Sequence, residues 1–432
     1  MEQRKGKDGP APAALVVSLE DVLSRTDIAA ERRVQALCAD PVGVLRRGEA
    51  AGGQPAALPP EALPLDQSVL SQVAAARAEG RRTILVTGQD EAQARSIADG
   101  LGLFDEVIAG ARWDKALAAR IAEVAGPDPE WAASAAATDG SPKMRARIKA
   151  LRPHQWSKNL LVFVPLLAAH DLGGLGPALA AFAAFSLTAS SVYVLNDIAD
   201  LAADRAHPRK RLRPFAAGDL SVTDGLAMAA GLILAAIAMA LAFTPPLFLA
   251  VLALYYAVTF AYSFALKRKL IVDVITLAGL YTVRIVAGAA AGAIPLSPWM
   301  LGFSMFLFLS LAAVKRQAEL VDMLAEGKGG RAGRGYVPED LPVIRSMALA
   351  AGYAAVLVFA LYISSDQVTV LYTAPEALWM VCPLLLYWVS RMVMVTHRGW
   401  MTDDPIVYAA TDKASLAVVV CAAAIFVGAS LV

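Results

Sequence analysis

Three aspartates at spacings of three and four residues are the side chains in this sequence best suited to chemistry. Asp197, Asp200 and Asp204 lie in the stretch NDIADLAADRAHPRKRLRP. If a helix continues through them, they fall within about 60° of one another on one face. Carboxylates that close together repel one another unless a cation neutralises them, and Mg²⁺ would do so while keeping positions open for substrate phosphates. The spacing therefore predicts a Mg²⁺ site, with the Asn196 amide at its rim.

A dense run of basic side chains follows these aspartates directly. Guanidinium and ammonium groups bind phosphate oxygens, so such a run suits a phosphorylated ligand. The alternative is a solvated charge run beside a membrane. We favour a functional site because the three carboxylates begin at the end of an apolar helix and precede the cations. The run comprises Arg205, His207, Arg209, Lys210, Arg211 and Arg213.

A second polar cluster lies in YSFALKRKLIVDVITLAGLYTVRIVAG. Asp273 and Arg284 are eleven residues apart, which on a helix places them within about 20° of one face and ~16 Å apart along the axis. Ionisable groups inside spanning helices usually face a cavity or one another. We expect a functional pair, with Tyr262 and Lys267 contacting an anion. The alternatives are a pair that only tethers helices and, for Lys267, a basic anchor at the lipid surface.

Two further connections carry acids and bases. Lys315 and Arg316 follow one apolar segment, and Asp403 and Asp404 follow another. Together with the two clusters above, they place charged side chains in four loops on one predicted side of a membrane. This distribution predicts an active site at the cytoplasmic mouth of a helix bundle.

The composition explains why a membrane is expected. Of the 432 residues, 57% are hydrophobic and 18% charged, against about 45–50% and ~25% in soluble domains. The net charge of +1 gives no support for a nucleic-acid partner. Three cysteines without a CxxC pattern and four histidines without HExxH argue against a disulfide framework, an iron–sulfur site and a zinc hydrolase.

Apolar segments dominate the chain from about residue 159. Up to about residue 152, a buried strand near residues 15–19, a second over 83–87, a helix ending at Gly102 and a strand near Val107 form a βαβ pattern. Beyond it we predict nine spanning helices in an all-α bundle. Their segments are 159–172, 175–195, 225–244, 246–264, 273–293, 297–314, 343–363, 375–395 and 413–431.

The loops of the membrane part divide by charge. Connections after the second, fourth, sixth and eighth segments, together with the segment ends that flank them, contain 17 Lys and Arg residues, and the alternate connections contain none. By the positive-inside rule, the first set is cytoplasmic. We therefore expect a cytoplasmic N-terminal domain and an external C-terminus, which agrees with an odd helix count.

The motif NDxxDxxxD followed by RAHPxKRxRPxAAG resembles the UbiA superfamily of membrane prenyltransferases, over residues 150 to 432. The resemblance implies nine transmembrane helices and Mg²⁺ held by Asp197, Asp200 and Asp204. Within the superfamily, the sequence is most similar to the decaprenyl-phosphate phosphoribosyltransferases. The motifs that carry this second resemblance are LRPHQWSKNLLVF (151–163), RAHPRKRLRP (205–214), YSFALK (262–267), AVKRQAEL (313–320) and DDPIVYAATD (403–412).

This branch implies transfer of phosphoribosyl from phosphoribosyl diphosphate to a polyprenyl phosphate in a bacterial cytoplasmic membrane. One departure from the aromatic prenyltransferases favours it, because their second motif DxxxD is reduced here to Asp273, with Leu277 at the other position. The alternatives are prenyl transfer from a polyprenyl diphosphate to an aromatic or other acceptor and, less favoured, a nine-helix transporter.

The resemblance also suggests roles for the cations. Arg205, Lys210 and Arg213 would clamp diphosphate oxygens. The sugar 5-phosphate or the lipid phosphate would bind Lys158, Lys267 and the pair Lys315 and Arg316. The acceptor is already an anion at neutral pH, so the reaction needs no strong general base.

The N-terminal part, residues 1–143, resembles a haloacid dehalogenase-like domain, and residues 144–432 form the transferase domain. VVSLEDVLSRTD aligns with the pattern hhDxDGTLxxTD, and ILVTGQD with the second motif. Ser18 stands at the position of the nucleophilic aspartate and Glu20 at that of the acid/base aspartate. A serine without an adjacent base cannot replace a carboxylate nucleophile, so we expect a catalytically silent domain.

Overall fold

The computed structural model describes residues 13–39, 56–110, 115–126, 128–134, 142–169, 172–325, 335–365, 368, 372–401 and 404–431. The chain divides into two compact units. The first comprises Met1–Arg152 and Tyr193–Leu232, and the second comprises Pro153–Val192 and Ile233–Val432.

The first unit contains a four-stranded sheet in the order β3-β2-β1-β4, with all three strand pairs parallel. The order reverses direction beside β1, and such a switch point forms a crevice at the carboxyl ends of the strands. The strands are β1 (Leu15–Ser18), β2 (Thr83–Val86), β3 (Glu106–Ile108) and β4 (Glu130–Trp131). Five helices accompany them: α1 (Ile28–Ala39), α2 (Gln67–Ala78), α3 (Glu91–Leu101), α4 (Lys115–Ala125) and α5 (Pro142–Leu151).

Both faces of this sheet are covered. All four residues of β1 and of β2 are buried, as expected for a parallel sheet between helices. Leu15 and Val17 belong to one apolar cluster and Val16 to another, on opposite faces. The predicted strands are confirmed, and α3 ends before Gly102, which adopts φ +61°. The βαβ interpretation of this region is therefore confirmed.

Eight helices within the described residues are long and apolar enough to cross a membrane. They match eight of the nine predicted segments. The other α-helices among the described residues are α6 (Val164–Ala168), α7 (Leu175–Ala199), α8 (Leu201–Ala206), α9 (Val222–Phe243), α10 (Pro246–Phe264), α11 (Val272–Gly292), α12 (Pro298–Ala325), α13 (Leu341–Ile363), α14 (Val381–His397), α15 (Pro405–Thr411) and α16 (Lys413–Leu431).

Large apolar side chains on these helices point outward. Leu234 and Leu241 of α9, Leu247 of α10 and Val420 of α16 are each about two-thirds exposed. Exposure of such large apolar surfaces to water would be unfavourable in free energy, whereas the hydrocarbon core of a bilayer surrounds them with apolar groups. The chain is therefore a multi-pass membrane protein.

The predicted segment 159–172 takes a different form from the others. Residues Pro153–Phe163 form a 3₁₀ helix and α6 continues from it. Its backbone lies so close to α11 that a Cβ atom added to Gly288 would be 1.9 Å from the Val162 carbonyl oxygen. Position 288 therefore requires glycine.

The centre of the second unit is an apolar core between α11, α12, α13 and α14. Its buried members include Val274, Tyr281, Phe308 and Val393. The rings of Tyr281 and Phe308 stack with centroids 5.2 Å apart. This stacking holds the Tyr281 hydroxyl 3.3 Å from Asp404 Oδ2.

Candidate active site

The predicted metal motif lies at the carboxyl end of α7. This helix ends at Ala199, Asp200 departs from helical geometry (φ −95°, ψ 12°), and the six-residue α8 follows. The Asp204 amide still donates to the Asp200 carbonyl, at 2.8 Å. The motif is thus interrupted at its middle aspartate rather than lying on one continuous helix.

Asp197 and Asp204 are buried and share one cation. Nη1 of Arg213 donates to Asp197 Oδ1 at 3.2 Å and to Asp204 Oδ2 at 2.6 Å. Lys210 Nζ lies 3.8 Å from Asp204 Oδ1. Arg152 donates to Asp197 as well. We name this group, Arg152, Asp197, Asp204, Lys210 and Arg213, the aspartate–arginine cluster.

The third aspartate and the asparagine lie in the same turn. Asp200 donates its amide to the Asn196 carbonyl at 2.9 Å, and both side chains are half-buried. Among the residues that the structure describes, no three Asp, Glu, His or Cys side chains converge as a ready-made metal cluster. Two carboxylates, Asp197 and Asp204, do converge. Since Mg²⁺ commonly takes one or two carboxylates plus substrate phosphates, this pair of hard oxygen donors fits the ion.

Arg205 has a different partner from the one predicted. Its Nη1 and Nη2 atoms donate to Glu31 of α1 at 2.8 and 2.7 Å, and Nε donates to the Ala216 carbonyl at 3.1 Å. The guanidinium is buried with Glu31. The Arg205 donors that we predicted to clamp a substrate phosphate are therefore used within the protein in this structure.

Arg152 is a member of the cluster that sequence reasoning missed. It adopts φ +52°, uncommon outside glycine, and its guanidinium lies 5.3 Å from the Tyr193 ring centroid. The signal was present in the motif LRPHQW, where an arginine precedes a proline at the start of the membrane part.

A second cluster contains two lysines around one carboxylate. Lys158 Nζ donates to Asp404 Oδ2 at 2.8 Å, and Lys315 Nζ donates to the same oxygen at 3.0 Å. The Tyr281 hydroxyl lies 3.3 Å from that oxygen, and Asp404 Oδ1 accepts from the Ile406 amide at the start of α15. We name Lys158, Lys315 and Asp404 the lysine cluster. It brings together residues that the sequence places 246 positions apart.

Charge in the lysine cluster favours an anion. Burial alone would raise the pKa of Asp404, but the ammonium groups of Lys315 and Lys158 hold it well below its usual range. A carboxyl with a lowered native pKa stabilises the fold at pH values above about 4 and loses that contribution only as the pH falls through the native value. The carboxylate therefore persists at neutral pH, and two ammonium groups share it. A phosphate would supply the negative charge that this arrangement lacks.

Asp273 lies in a sealed network. Tyr336 donates its hydroxyl to Asp273 Oδ1 at 2.7 Å, and Arg316 donates to Oδ2 at 2.5 Å. Asp273 is 0% exposed and Arg316 is 1% exposed. Arg316 also pairs with Glu319. Asp273, predicted to be catalytic, and Arg316, predicted to bind phosphate, are thus both enclosed by protein partners in the structure.

Tyr336 is a member of this network that the sequence motifs did not predict. Its hydroxyl also accepts a hydrogen bond from the Ile271 amide at 2.9 Å, and Ile271 has φ +65°. Burial and the hydrogen bond to Asp273 raise the pKa of Tyr336 far above its ordinary value, so the hydroxyl remains a donor. It thereby holds Ile271, the residue that directly precedes α11.

Arg284 makes no pair with Asp273. Its Nε donates to Asn159 Oδ1 at 2.9 Å, and Nη2 donates to the Tyr255 hydroxyl at 3.0 Å. These contacts join α11 to the 3₁₀ helix and to α10. The geometry agrees with the alternative interpretation, a buried polar tether between helices.

The remaining predicted site residues are Tyr262, Lys267 and Asp403, and Tyr262 lies within electrostatic range of Lys315. Tyr262 packs against the apolar cluster of α7, α10 and α11. Lys267 is half-buried in a 3₁₀ turn, Leu266–Arg268. Asp403 lies outside the described residues.

The described residues form eight long apolar helices and two clusters of charged side chains, and these features define a membrane-embedded protein with buried ionisable groups. Residues 160–416 match the UbiA prenyltransferase family. The match covers more than half of the chain, and the protein therefore belongs to the UbiA prenyltransferase family. The resemblance seen in the aspartate motif is confirmed, and the protein is a transferase by family.

Several proteins of known sequence resemble it. The uncharacterized protein y4nM of Sinorhizobium fredii is 35% identical over 82% of this chain and 77% of its own. The nodulation protein NoeC of Azorhizobium caulinodans is 39% identical over 62% of this chain and 88% of its own. The decaprenyl-phosphate phosphoribosyltransferase of Mycolicibacterium smegmatis is 34% identical over 64% of this chain and 90% of its own.

A solved structure has the same fold. The UbiA homolog from Archaeoglobus fulgidus bound to DMAPP and Mg²⁺ has a TM-score of 0.50 and 16% identity, covering 66% of this chain and all of that one. At this identity the likeness concerns the fold alone, which confirms a UbiA-type helical membrane architecture.

Proposed function

We propose that this protein transfers a phosphoribosyl group from phosphoribosyl diphosphate to a polyprenyl phosphate, with Mg²⁺. The observation that carries the proposal is the sealed pairing of Asp273 with Arg316 and Tyr336. That pairing engages Asp273 within the protein, so the reduced second motif has no free carboxylate for another metal. This supports the phosphoribosyl-transfer branch over the aromatic prenyltransferases with their DxxxD motif. The name of the relative from Mycolicibacterium smegmatis supports the same reaction.

Asp197 and Asp204 would hold the Mg²⁺, with Asp200 in the turn between them. When bound, the ion supplies Lewis-acid stabilisation of the departing diphosphate. Arg213 and Lys210 already lie against these carboxylates. Both retain exposed surface, so they can turn to bind diphosphate oxygens.

The lysine cluster would bind a phosphate monoester, either the 5-phosphate of the ribose or the phosphate of the lipid. Lys158 and Lys315 provide the ammonium groups, and Asp404 orients both. Lys267 is a further candidate for this role. An acceptor phosphate is ionised at neutral pH, so orientation and charge neutralisation suffice without a strong base.

An apolar cavity of about 660 Å³ in the second unit suits the prenyl chain. Its lining includes Leu167, Phe303, Phe359 and Phe426. Phe303 and Lys315 both belong to α12, and twelve residues of helix separate them by about 18 Å. A polyprenyl phosphate with its head at the lysine cluster can therefore reach this cavity with its tail.

The predicted topology completes the proposal. The 3₁₀ helix Pro153–Phe163 followed by α6 has a length of about 30 Å, since a 3₁₀ helix rises ~2.0 Å per residue. This is the thickness of a bilayer core, so we propose it as the ninth crossing. The N-terminal domain and the site would then face the cytoplasm of a bacterium, across its inner membrane.

For the N-terminal domain we propose a haloacid dehalogenase-like ancestry without catalysis. The Ser18 hydroxyl donates to Asp21 at 2.6 Å. Glu20 accepts from the Thr87 hydroxyl at 2.5 Å and from the Gly88 amide at 3.0 Å. The first motif thus meets the second at the carboxyl edge of the sheet, but no carboxylate stands at the nucleophile position.

The decisive experiment uses purified protein with labelled phosphoribosyl diphosphate, a polyprenyl phosphate and Mg²⁺. We expect labelled lipid and release of diphosphate. The proposal fails if no labelled lipid forms while a polyprenyl diphosphate is consumed with an aromatic acceptor. That result would assign prenyl transfer instead.

A further inference from the structure

A buried ion pair connects the N-terminal α/β domain to the aspartate motif. Glu31 of α1 is 0% exposed and the side chain of Arg205 is 5% exposed. The pair is bidentate, with both guanidinium Nη atoms on the two carboxylate oxygens. The Thr26 hydroxyl also donates to Glu31 Oε1, at 2.6 Å. This many hydrogen bonds hold a buried charge pair in a single geometry, so the pair fixes α1, which carries Glu31, against α8, which carries Arg205.

Apolar packing surrounds the same connection. Ala30 and Val34, on the same helix as Glu31, pack against a buried cluster that includes Ile198, Leu201 and Phe215. Ile198 follows Asp197 directly, and Leu201 follows Asp200. The core beneath the aspartate motif is therefore partly made by the α/β domain.

The aspartate motif depends on these contacts, because part of it lies on a very short helix. A helix as short as α8, with six residues, is not stable by itself. Arg205 follows Asp204 directly, and neighbours on a helix point about 100° apart. Holding Arg205 against Glu31 therefore sets the rotation of α8, and with it the direction in which the Asp204 carboxylate points.

We infer that Glu31 is a positioning residue for the Mg²⁺ site, and that the α/β domain is retained as a scaffold for the aspartate motif. The inference rests on the proposed metal role of Asp197 and Asp204. It concerns the geometry of the carboxylates and not the identity of the group transferred.

Metal binding by the detergent-solubilised full-length protein tests it without substrate. Mn²⁺ serves as the probe, and the free ion is measured by electron paramagnetic resonance. Removal of a group that orients a ligand costs about 10–100-fold in metal affinity, so Glu31→Ala should raise the Mn²⁺ dissociation constant about tenfold. Glu31→Asp, which keeps the carboxylate, should recover part of this loss.

The matched control is an exposed pair that joins the same two regions. Arg25 donates to Asp219 at 2.9 Å, and their side chains are 40% and 37% exposed. Arg25→Ala should leave Mn²⁺ affinity unchanged, because exposed pairs contribute little. An equal loss of affinity in both variants would overturn the inference, as would unchanged affinity in Glu31→Ala.

Two further variants keep the test decisive if Glu31→Ala does not fold. Glu31→Gln preserves the shape of the side chain, and Arg205→Lys preserves the charge but not the bidentate geometry. Either should weaken Mn²⁺ binding while the protein stays monodisperse. Unfolding at a lower temperature with unchanged Mn²⁺ affinity would show a merely structural role. Absence of Mn²⁺ binding by the unaltered protein would instead overturn the metal assignment and the proposed function.

Discussion

The aspartate–arginine cluster and the sealed network of Asp273 both contain buried carboxylates paired with arginine, yet they differ in the cation. In the first, the side chains of Arg152 and Arg213 are 23% and 29% exposed. In the second, Arg316 is 1% exposed. A cation with access to solvent can exchange one partner for another, whereas an enclosed cation cannot move without leaving a buried charge unpaired. Exposure of the partner therefore distinguishes a carboxylate available to a ligand from one that supports the fold.

The largest effect is expected at the aspartate motif. Asp197→Asn should reduce phosphoribosyl transfer by about a thousandfold, since it removes a ligand of the proposed metal. Its thermal stability should change little, because the cations left behind reach water. Asp200→Asn should likewise abolish metal-dependent turnover. Radiolabel transfer and differential scanning fluorimetry measure the two quantities, and activity retained in both variants would refute the metal assignment.

The sealed network should respond in the opposite way. Asp273→Asn leaves the buried Arg316 with Glu319 as its remaining charged partner, so the cost in stability should be up to about 3 kcal/mol. Protein that remains folded should retain most of its turnover. Thermal unfolding and activity per folded molecule test this. The double variant Asp273→Asn with Arg316→Gln is the control and should recover stability, whereas a selective loss of turnover would make Asp273 catalytic after all.

A smaller effect is expected in the lysine cluster. Lys158→Gln and Lys315→Gln each remove a charged hydrogen-bond donor, so each should raise the KM for one phosphorylated substrate about tenfold. Lys269→Gln, at an exposed position, is the matched control. Steady-state kinetics with each substrate varied in turn will show which phosphate binds here. Equal changes in all three variants would indicate a general effect of surface charge.

The smallest effect is expected in the apolar cavity. Val427→Trp adds a ring to its lining and should raise the KM of a long-chain polyprenyl phosphate several-fold, since overfilling a packed apolar space is unfavourable. A short-chain acceptor should be unaffected. Val420→Trp, on the same helix and similarly exposed but not among the residues that line the cavity, should behave like the unaltered protein. A chain-length-independent change would place the tail elsewhere.

Local patterns predicted most of the fold. The strand Thr83–Val86 and the helix end at Gly102 depend on side chains close in sequence, and eight of the predicted spans depend on apolar length alone. The contacts within the site were harder to predict than the fold. Arg213 and Arg205 belong to the same basic run, but only the structure shows that one contacts the aspartates and the other Glu31.

Long-range pairing explains the remaining differences. Asp273 meets Arg316 and Tyr336 across 43 and 63 residues, and no spacing rule connects positions that far apart. The sequence showed an isolated acid in a spanning helix, which is compatible with catalysis or with an internal ion pair. Burial of its partners decides between the two, and burial is a property of the packed chain.

The contact between Gly288 and the Val162 carbonyl has a consequence for inherited variation. Every single-nucleotide missense change of a glycine codon adds at least one carbon atom, and here even the first has no room. A saturation mutagenesis library selected for growth should therefore deplete position 288 as strongly as the aspartates, although no chemistry takes place there. Intolerance to substitution in such a map would identify where two segments of chain touch as readily as where a reaction occurs.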